Sequence, residues 1–207
     1  MLDSPVYRIT EESVVKDLVR RHGWVTLVSL TSSGLVASHL PVVLQEGEGF
    51  ELVGHLGRPD DEVHELGASE AMIIVQGPHG YVSSSWYGTG PTASTWDFVV
   101  AHLYGVPEPV LDPEKNLRLL VELQATYEAA VAEPVLLDQA EGAHALSRGA
   151  RAFRFRVTRW QGRKKMSQNR PVEVVERIVA HLEDPSDPYA NPELAALVRE
   201  ANAGRPR

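Results

Sequence analysis

The sequence contains no cysteine, and this absence removes several classes of chemistry at once. Disulfides, thiolate metal ligands and cysteine nucleophiles are all excluded in this chain of 207 residues. No apolar run approaches the roughly 20 residues that are needed to span a bilayer. The N-terminal segment also lacks the basic and then apolar form of a signal peptide. The sequence therefore predicts a cytoplasmic protein that does not associate with membranes.

Basic residues are also scarce. The chain has 20 lysines and arginines against 28 aspartates and glutamates, a formal net charge of −8. Nucleic-acid binding is not expected, because a broad nucleic-acid footprint usually needs a basic face. One local exception is the adjacent pair Lys164-Lys165. The glycine-rich nucleotide loops, the G-x-S-x-G elbow and the H-E-x-x-H helix are all missing.

The hydrophobic pattern predicts six or seven short strands in hairpins, with helices towards the ends of the chain and one long helix inserted late. Strands are indicated at 24–30, 35–44, 50–55, 71–75, 79–87, 95–104 and 152–160, and helices at 11–22, 58–67, 113–131 and 172–182. Residues 161–171 are predicted to form a basic loop. Strands and helices do not alternate, so the pattern favours an antiparallel barrel of the α+β class. The predicted domains are a cofactor-binding barrel over residues 1–183 and a Pro-rich linker with a helical tail over 184–207.

The stretch from Gly77 to Gly105 is the most informative part of the chain. It opens with the turn dipeptide Gly77-Pro78 and continues with the alternation of a strand. One face of that strand would carry an imidazole, two phenols and two hydroxyls, from His79, Tyr81, Ser83, Ser85 and Tyr87. Such a face is either a solvated edge or the wall of a site for a flat, partly apolar ligand.

Several short motifs resemble those of the PaiB family, in the same order and spacing. They are Ser38-His39-Leu40-Pro41, Gly54-His55, Gly77–Ser83, Ser85-Trp86-Tyr87, Thr95-Trp96, His102–Gly105 and Lys165–Pro171. That family belongs to the FMN-binding split barrels. The resemblance implies a split β-barrel and a homodimer that holds its cofactor near the subunit interface. The strand that bears Pro41 is expected to be an edge or to carry a bulge, because proline cannot donate to a ladder.

The resemblance allows two functions. One branch of the family consists of FMN-binding negative transcriptional regulators, and flavin oxidoreductases share the same barrel. Another branch consists of haem-dependent piperazate synthases, which close the amino acid N5-hydroxyornithine into a ring by forming an N–N bond. The sequence departs from the common pattern at Arg58–Val63 and carries His64 where a charged surface residue is usual. These departures put the usual flavin contacts in doubt but do not by themselves indicate haem. The predicted function is that of the synthase branch, with haem b as the cofactor and FMN as the alternative.

His64 is the predicted axial ligand of the haem iron. Imidazole is a common ligand of haem iron, and a helix beginning near Asp60 would place a carboxylate beside the second ring nitrogen. The alternative is a surface histidine paired with Asp60. Four further histidines are rival ligands: His39, His55, His79 and His102.

The remaining site residues are predicted from their chemistry and from the resemblance. The basic segment after Trp160 would hold an anionic cofactor group, either a flavin phosphate or haem propionates. Proton transfer is assigned to the polar wall, with His79, Tyr81 and Tyr87 as candidates. Arg58 is a candidate for the substrate carboxylate. The full set of predicted cofactor-binding residues is Arg58, His64, Ser83, Trp86, Trp96, Lys164, Lys165, Gln168 and Asn169.

Overall fold

The computed structural model describes residues 4–47 and 49–205. Its strands are β1 (Arg8–Ile9), β2 (Trp24–Thr31), β3 (Gly34–Leu44), β4 (Glu51–Gly57), β5 (Ala71–Val82), β6 (Thr95–Gly105), β7 (Pro107–Pro109), β8 (Ala150–Arg156) and β9 (Arg159–Lys165). Its α-helices are α1 (Glu12–Arg21), α2 (Asp60–Val63), α3 (Pro113–Glu128), α4 (Ala143–Ser147), α5 (Val172–Glu183) and α6 (Pro192–Ala201). Within the described ranges, no helix is both long and apolar enough to cross a membrane.

The strands form a sheet in the order β1-β9-β6-β5-β2-β3-β4-β8-β7. Each ladder whose register is described is antiparallel. The predicted α+β split barrel is confirmed. Strand β3 pairs with β2 from Gly34 to Pro41, and β4 begins to pair with it only at Val42, one residue after Pro41. Pro41 therefore lies just outside the second ladder, where its missing N–H group is tolerated.

The chain divides into two compact units. The first contains residues 1–11, 76–100 and 161–207, and the second contains 12–75 and 101–160. The compact units therefore differ from the domains predicted from the sequence, because the segment after residue 183 belongs to the first unit with the 76–100 stretch.

The second unit is built on the predicted β2–β3–β4 meander. Leu27, Leu52, Phe153 and Phe155 alternate inward and are completely buried. Helix α3 covers the opposite face of β4 and β8, where Val53 and Ala152 pack with Leu119, Leu120 and Leu123. The helix starts as predicted, because Asp112 accepts a hydrogen bond from the Lys115 amide and Pro113 occupies the first turn.

The first unit holds the two C-terminal helices. Ile178 and Leu182 of α5 and Leu194 of α6 are completely buried. Asn191 caps α6 by accepting a hydrogen bond from the Leu194 amide at 3.0 Å. A Cβ atom on Gly80 would lie only 2.8 Å from Leu194 Cδ2. A larger residue at this position of β5 would have to displace the Leu194 side chain, because α6 packs directly on the strand.

Four local predictions are wrong. Gly77-Pro78 lies inside β5 and is not a turn, and the strand ends at Val82, before the 3₁₀ turn Ser84–Tyr87. The helix predicted over Arg58–Gly67 is limited to Asp60–Val63, since the residues after it form turns. The segment Arg163–Lys165, predicted as a loop, is part of β9 because Arg163 pairs with Arg8 of β1.

Candidate functional site

The predicted polar wall exists in the first unit, but it is shorter than the sequence suggests. His79 and Tyr81 lie on one face of β5, as alternation requires, and both rings approach Trp96. The ring centroids of His79 and Trp96 are 6.4 Å apart and those of Tyr81 and Trp96 are 6.1 Å apart. Tyr189, from the segment before α6, packs on Tyr81 at 4.9 Å. The structure therefore brings three predicted site residues together and adds a fourth ring from the C-terminal segment.

The other residues predicted for this wall do not lie on it. Ser83 caps the 3₁₀ turn by accepting a hydrogen bond from the Ser85 amide at 3.2 Å. Trp86 and Tyr87 are buried, and their carbonyl oxygens accept hydrogen bonds from Arg177 of α5. Burial raises the pKa of the Tyr87 hydroxyl, although the nearby Arg170 guanidinium acts in the opposite direction. The strand prediction failed here because a serine-rich stretch can form a side-chain-capped turn as readily as a strand.

The two lysines of the basic segment are engaged inside the first unit. The Lys165 ammonium donates to Thr95 Oγ1 at 2.6 Å, to the Trp96 carbonyl at 2.5 Å and to Asp97 Oδ1 at 3.2 Å. Lys164 forms an ion pair with Glu200 of α6 at 2.9 Å. An ammonium has three N–H donors, so Lys165 has no donor left for a cofactor.

The amides that follow the two lysines behave differently from each other. Gln168 closes the turn on itself, because its side chain accepts from the Met166 amide and donates to the Lys164 carbonyl, both at 2.6 Å. Asn169 is exposed, and the described part of the chain gives its side chain no polar partner. Of the predicted anion-binding residues in this segment, Asn169 is therefore the one whose side chain is available without breaking a contact.

His64 lies in the second unit, buried against the inner face of the β2–β3 hairpin. Only 2% of its surface is exposed. Its Nδ1 atom lies 2.9 Å from Ser29 Oγ and its Nε2 atom lies 2.9 Å from Ser38 Oγ. Burial lowers the pKa of this imidazole, while the negative charge of Asp60 opposes the shift. His64 is therefore a neutral imidazole at pH 7, held by two serines. The predicted surface pairing with Asp60 is wrong, because α2 ends before His64 and the ring turns inward.

The rival histidines differ in their surroundings. His39 is exposed and its Nδ1 atom lies 3.0 Å from Thr26 Oγ1. The Nδ1 atom of His55 is buried without a hydrogen-bond partner among the described residues, and burial lowers the pKa of this ring. His55 shares its face of β4 with Val53, which packs under α3. Burial also lowers the pKa of His102.

Sequence reasoning missed the residues that hold these side chains in place. Ser29 and Ser38 were not predicted to contact His64, and Asp97 was not predicted to bind Lys165. A signal was present for Ser29, which occupies an inward position of β2 in line with Val25 and Leu27. A hydroxyl at an inward position needs a buried partner, but the pattern alone does not say which residue supplies it.

The architecture is that of a split-barrel protein, and comparison with known sequences defines the family. Residues 1–159 match the family described as "Putative FMN-binding domain", and the chain belongs to this family. It is also similar to protease synthase and sporulation protein PAI 2 of Bacillus subtilis, with 26% identity over 199 residues that cover 94% of each chain. These findings confirm, at the level of the family, the PaiB-type resemblance that the motifs indicate.

Two solved structures share the fold. A protein from Mycobacterium smegmatis described as FAD and haem binding has a TM-score of 0.58 and 16% identity, covering 77% of this chain and 73% of its own. The flavocytochrome Anf3 of Azotobacter vinelandii has a TM-score of 0.54 and 13% identity, covering 77% of this chain and 69% of its own. At these identities the likeness establishes the fold alone.

Proposed function

We propose that this protein is a haem-dependent piperazate synthase, with His64 as the axial ligand of the iron. The observation that carries the proposal is the buried imidazole of His64, held between two serine hydroxyls. The proposed reaction is the dehydrative cyclisation of N5-hydroxyornithine, in which the bond between the two amino nitrogens forms, the N–O bond breaks and water leaves.

The surroundings of His64 fit an iron ligand. A ligating imidazole must be neutral, and burial lowers the pKa of His64. A ligating histidine usually has its second ring nitrogen fixed by a hydrogen bond, and Ser29 provides this contact at Nδ1. The Nε2 atom faces one half-buried hydroxyl, that of Ser38. Because a hydroxyl can rotate to another partner, the contact between Ser38 and Nε2 is one that an iron ligand bond can replace.

The basic segment does not favour one cofactor over the other. A flavin phosphate and haem propionates are both anions that charged donors hold, yet Lys165 is fully engaged by Thr95, Trp96 and Asp97, and Lys164 by Glu200. The M. smegmatis protein is described as binding both FAD and haem and Anf3 as a flavocytochrome, so these descriptions are consistent with either cofactor in this fold. The family description favours FMN, and it supplies the alternative function, a PaiB-type FMN-binding regulator or a flavin oxidoreductase.

Haem iron, when bound, supplies a Lewis acid for the departing hydroxylamine oxygen. The side chains of the protein then have to move protons, since the attacking amine loses one and the leaving oxygen gains one. His79 and Tyr81 share one face of the first unit and remain the proposed groups for this task. Tyr87 is buried beneath α5 and is a weaker candidate than the sequence suggests.

The test of the function is the absorption spectrum of the purified protein together with a single assay. We expect a Soret band and conversion of N5-hydroxyornithine into a cyclic product that is lighter by one water, measured by mass spectrometry. A control reaction with ornithine should give no product, because ornithine lacks the N–O bond that breaks. Protein that carries FMN, fails to bind added haem and leaves N5-hydroxyornithine unchanged would show that the proposal is wrong and favour the flavin alternative.

We also propose that the protein is a homodimer, with the cofactor near the interface as in related split barrels. Three large apolar side chains on the outer face of the β2–β3 hairpin are exposed: Trp24 by 67%, Leu30 by 66% and Leu35 by 77%. Leu30 and Leu35 are direct cross-strand partners, so their side chains form one patch. Contiguous exposed apolar patches of this kind commonly mark interfaces.

A charge in this patch should therefore dissociate the dimer. We expect Leu35→Glu to convert the protein to a monomer at micromolar concentration, measured by light scattering after size exclusion, because a buried charge without a partner opposes association. Val135→Glu is the control. Val135 is a comparably exposed apolar residue, at 66%, but it lies in a loop after α3. A wild-type monomer at the same concentration would contradict the proposal.

A further inference from the structure

A cleft in the second unit was not indicated by the sequence. It has a volume of about 430 Å³ and opens between the start of α3, helix α4 and the first residues of β8. Three arginines line it, Arg58, Arg148 and Arg151, together with the apolar side chains of Leu111 and Pro113. The volume lies within the range of sites for small molecules.

The positive charge of the arginines is only partly balanced by carboxylates. Arg58 and Arg151 both direct Nε at the same oxygen, Asp61 Oδ2, at 3.5 and 3.4 Å. Asp61 is 8% exposed, so one buried carboxylate is shared by two guanidinium groups. Arg148 is exposed, and its guanidinium has no hydrogen-bond or ion-pair partner within residues 4–47 and 49–205.

The exposed acidic side chains near the cleft do not neutralise the positive charge of the three arginines. Glu62 pairs with Arg58 at 2.7 Å but is 67% exposed. Glu114 lines the cleft, is 72% exposed and lies 3.8 Å from His144. Exposed carboxylates are strongly screened by water, so their pairs contribute little. The guanidinium of Arg148 therefore remains a charge that a ligand can use.

The wall that carries Arg148 and Arg151 is held rigidly by Asn116 of α3. Asn116 is 4% exposed, and its Nδ2 atom donates to the carbonyls of Ser147 and Ala150, both at 3.2 Å. Its Oδ1 atom accepts from the Ala152 amide at 2.9 Å. One side chain thus fixes the backbone on both sides of the two arginines. A site whose charged groups are fixed in advance loses less entropy on binding a ligand.

We propose that this cleft binds a small molecule through an oxyanion, either a carboxylate or a phosphate. Guanidinium groups form paired hydrogen bonds with both kinds of oxyanion, and Leu111 and Pro113 provide apolar contact for the rest of the ligand. The site involves neither His64 nor the wall around Tyr81. It stands independently of the proposed function and assigns Arg58, predicted to contact the cofactor or the substrate carboxylate, to a separate ligand.

The experiment is isothermal titration calorimetry of the purified full-length protein at low ionic strength, with inorganic phosphate and with succinate as the two probes. We expect one site per chain for at least one probe, and the probe that binds identifies the oxyanion. Arg148→Gln should weaken binding by at least about tenfold, because a charge-assisted contact is lost. Its melting temperature and cofactor spectrum should stay unchanged, since the Arg148 guanidinium has no hydrogen bond or ion pair to lose among the described residues.

Arg118→Gln is the control, because Arg118 is an exposed arginine on α3 that does not line the cleft. It removes the same charge from the protein and should leave binding unchanged. Equal weakening by both variants would show that binding follows overall charge, and the proposal would then be wrong. The absence of binding by either probe at about 1 mM in the wild-type protein would also overturn it. Neither outcome bears on whether the protein carries haem.

Discussion

Replacing Asp97 with alanine is expected to lower the free energy of unfolding by about 3 kcal/mol. Asp97 is completely buried, and both of its oxygens are used: Oδ1 by the Lys165 ammonium at 3.2 Å and Oδ2 by the Ser167 hydroxyl at 2.6 Å. The substitution leaves an ammonium group and a hydroxyl group without their acceptor inside the first unit. The effect falls at the low end for a broken buried ion pair, because Lys165 keeps 16% exposure and two other acceptors. Chemical denaturation monitored by circular dichroism measures it.

Asp97→Asn is the matched variant. Its amide oxygen can still accept the Ser167 hydrogen bond, so we expect a loss smaller than that of Asp97→Ala. A loss below about 0.5 kcal/mol for the alanine variant, the range of surface substitutions, would contradict the role assigned to this pair.

The titration of Asp97 gives an independent check, which is the direction in which the stability of the folded protein changes with pH. Burial raises the pKa of this carboxyl, and the contacts with Ser167 and Lys165 oppose the shift. Because the folded-state pKa is higher than the unfolded one, the folded protein binds more protons between the two values. The stability of the wild type relative to Asp97→Asn should therefore increase as the pH falls through the folded-state pKa.

The fold could be predicted because its main elements carry their own periodicity. Strands β2, β3 and β8 alternate apolar and polar residues, and α3 has a capping aspartate, a proline at its start and an apolar stripe. Strand β9 has no such signal, since Arg163, Lys164 and Lys165 are polar on both faces. It is a strand because β1 pairs with it, and that contact joins residues more than 150 positions apart.

The candidate site could be predicted only in part, because its contacts also join residues that are far apart in the sequence. The alternation of the 79–87 stretch placed His79 and Tyr81 on one face, and the structure adds Trp96 to them. The partners of His64 could not be predicted, because Ser29 and Ser38 lie 35 and 26 residues away and reach it only through the packing of α2 on the hairpin. The same limit applies to Lys165, whose buried acceptor Asp97 is 68 residues away.

Removal of the His64 imidazole is expected to abolish haem ligation. In His64→Ala the Soret band should be lost or strongly shifted, and cyclisation of N5-hydroxyornithine should stop, because no other nitrogen takes the place of Nε2. The fold should survive with a moderate loss of stability of roughly 1–3 kcal/mol, since the buried Ser29 hydroxyl loses its partner. Absorption spectroscopy, circular dichroism and the cyclisation assay separate these effects.

A second variant distinguishes an iron ligand from a structural histidine. In His64→Gly, added imidazole can occupy the space of the missing ring, and we expect it to restore the Soret band of haem-loaded protein in a concentration-dependent way. A structural role predicts no spectral response to imidazole. Imidazole that fills the cavity in His64→Gly should also raise the melting temperature of this variant, with or without haem, because a ligand that binds only the folded state stabilises it.

Substitution of the other histidines can give the outcome that would contradict the assignment of His64 as the iron ligand. His39→Ala should leave the spectrum unchanged, since His39 is exposed and bonded to Thr26. His55→Ala should affect stability more than the spectrum, because His55 shares its face of β4 with Val53 under α3. If the Soret band survives in His64→Ala but collapses in His55→Ala, the iron is bound by the ring whose Nδ1 atom is buried without a partner in the described part of the chain. The assignment to His64 would then be wrong, while the haem hypothesis would remain.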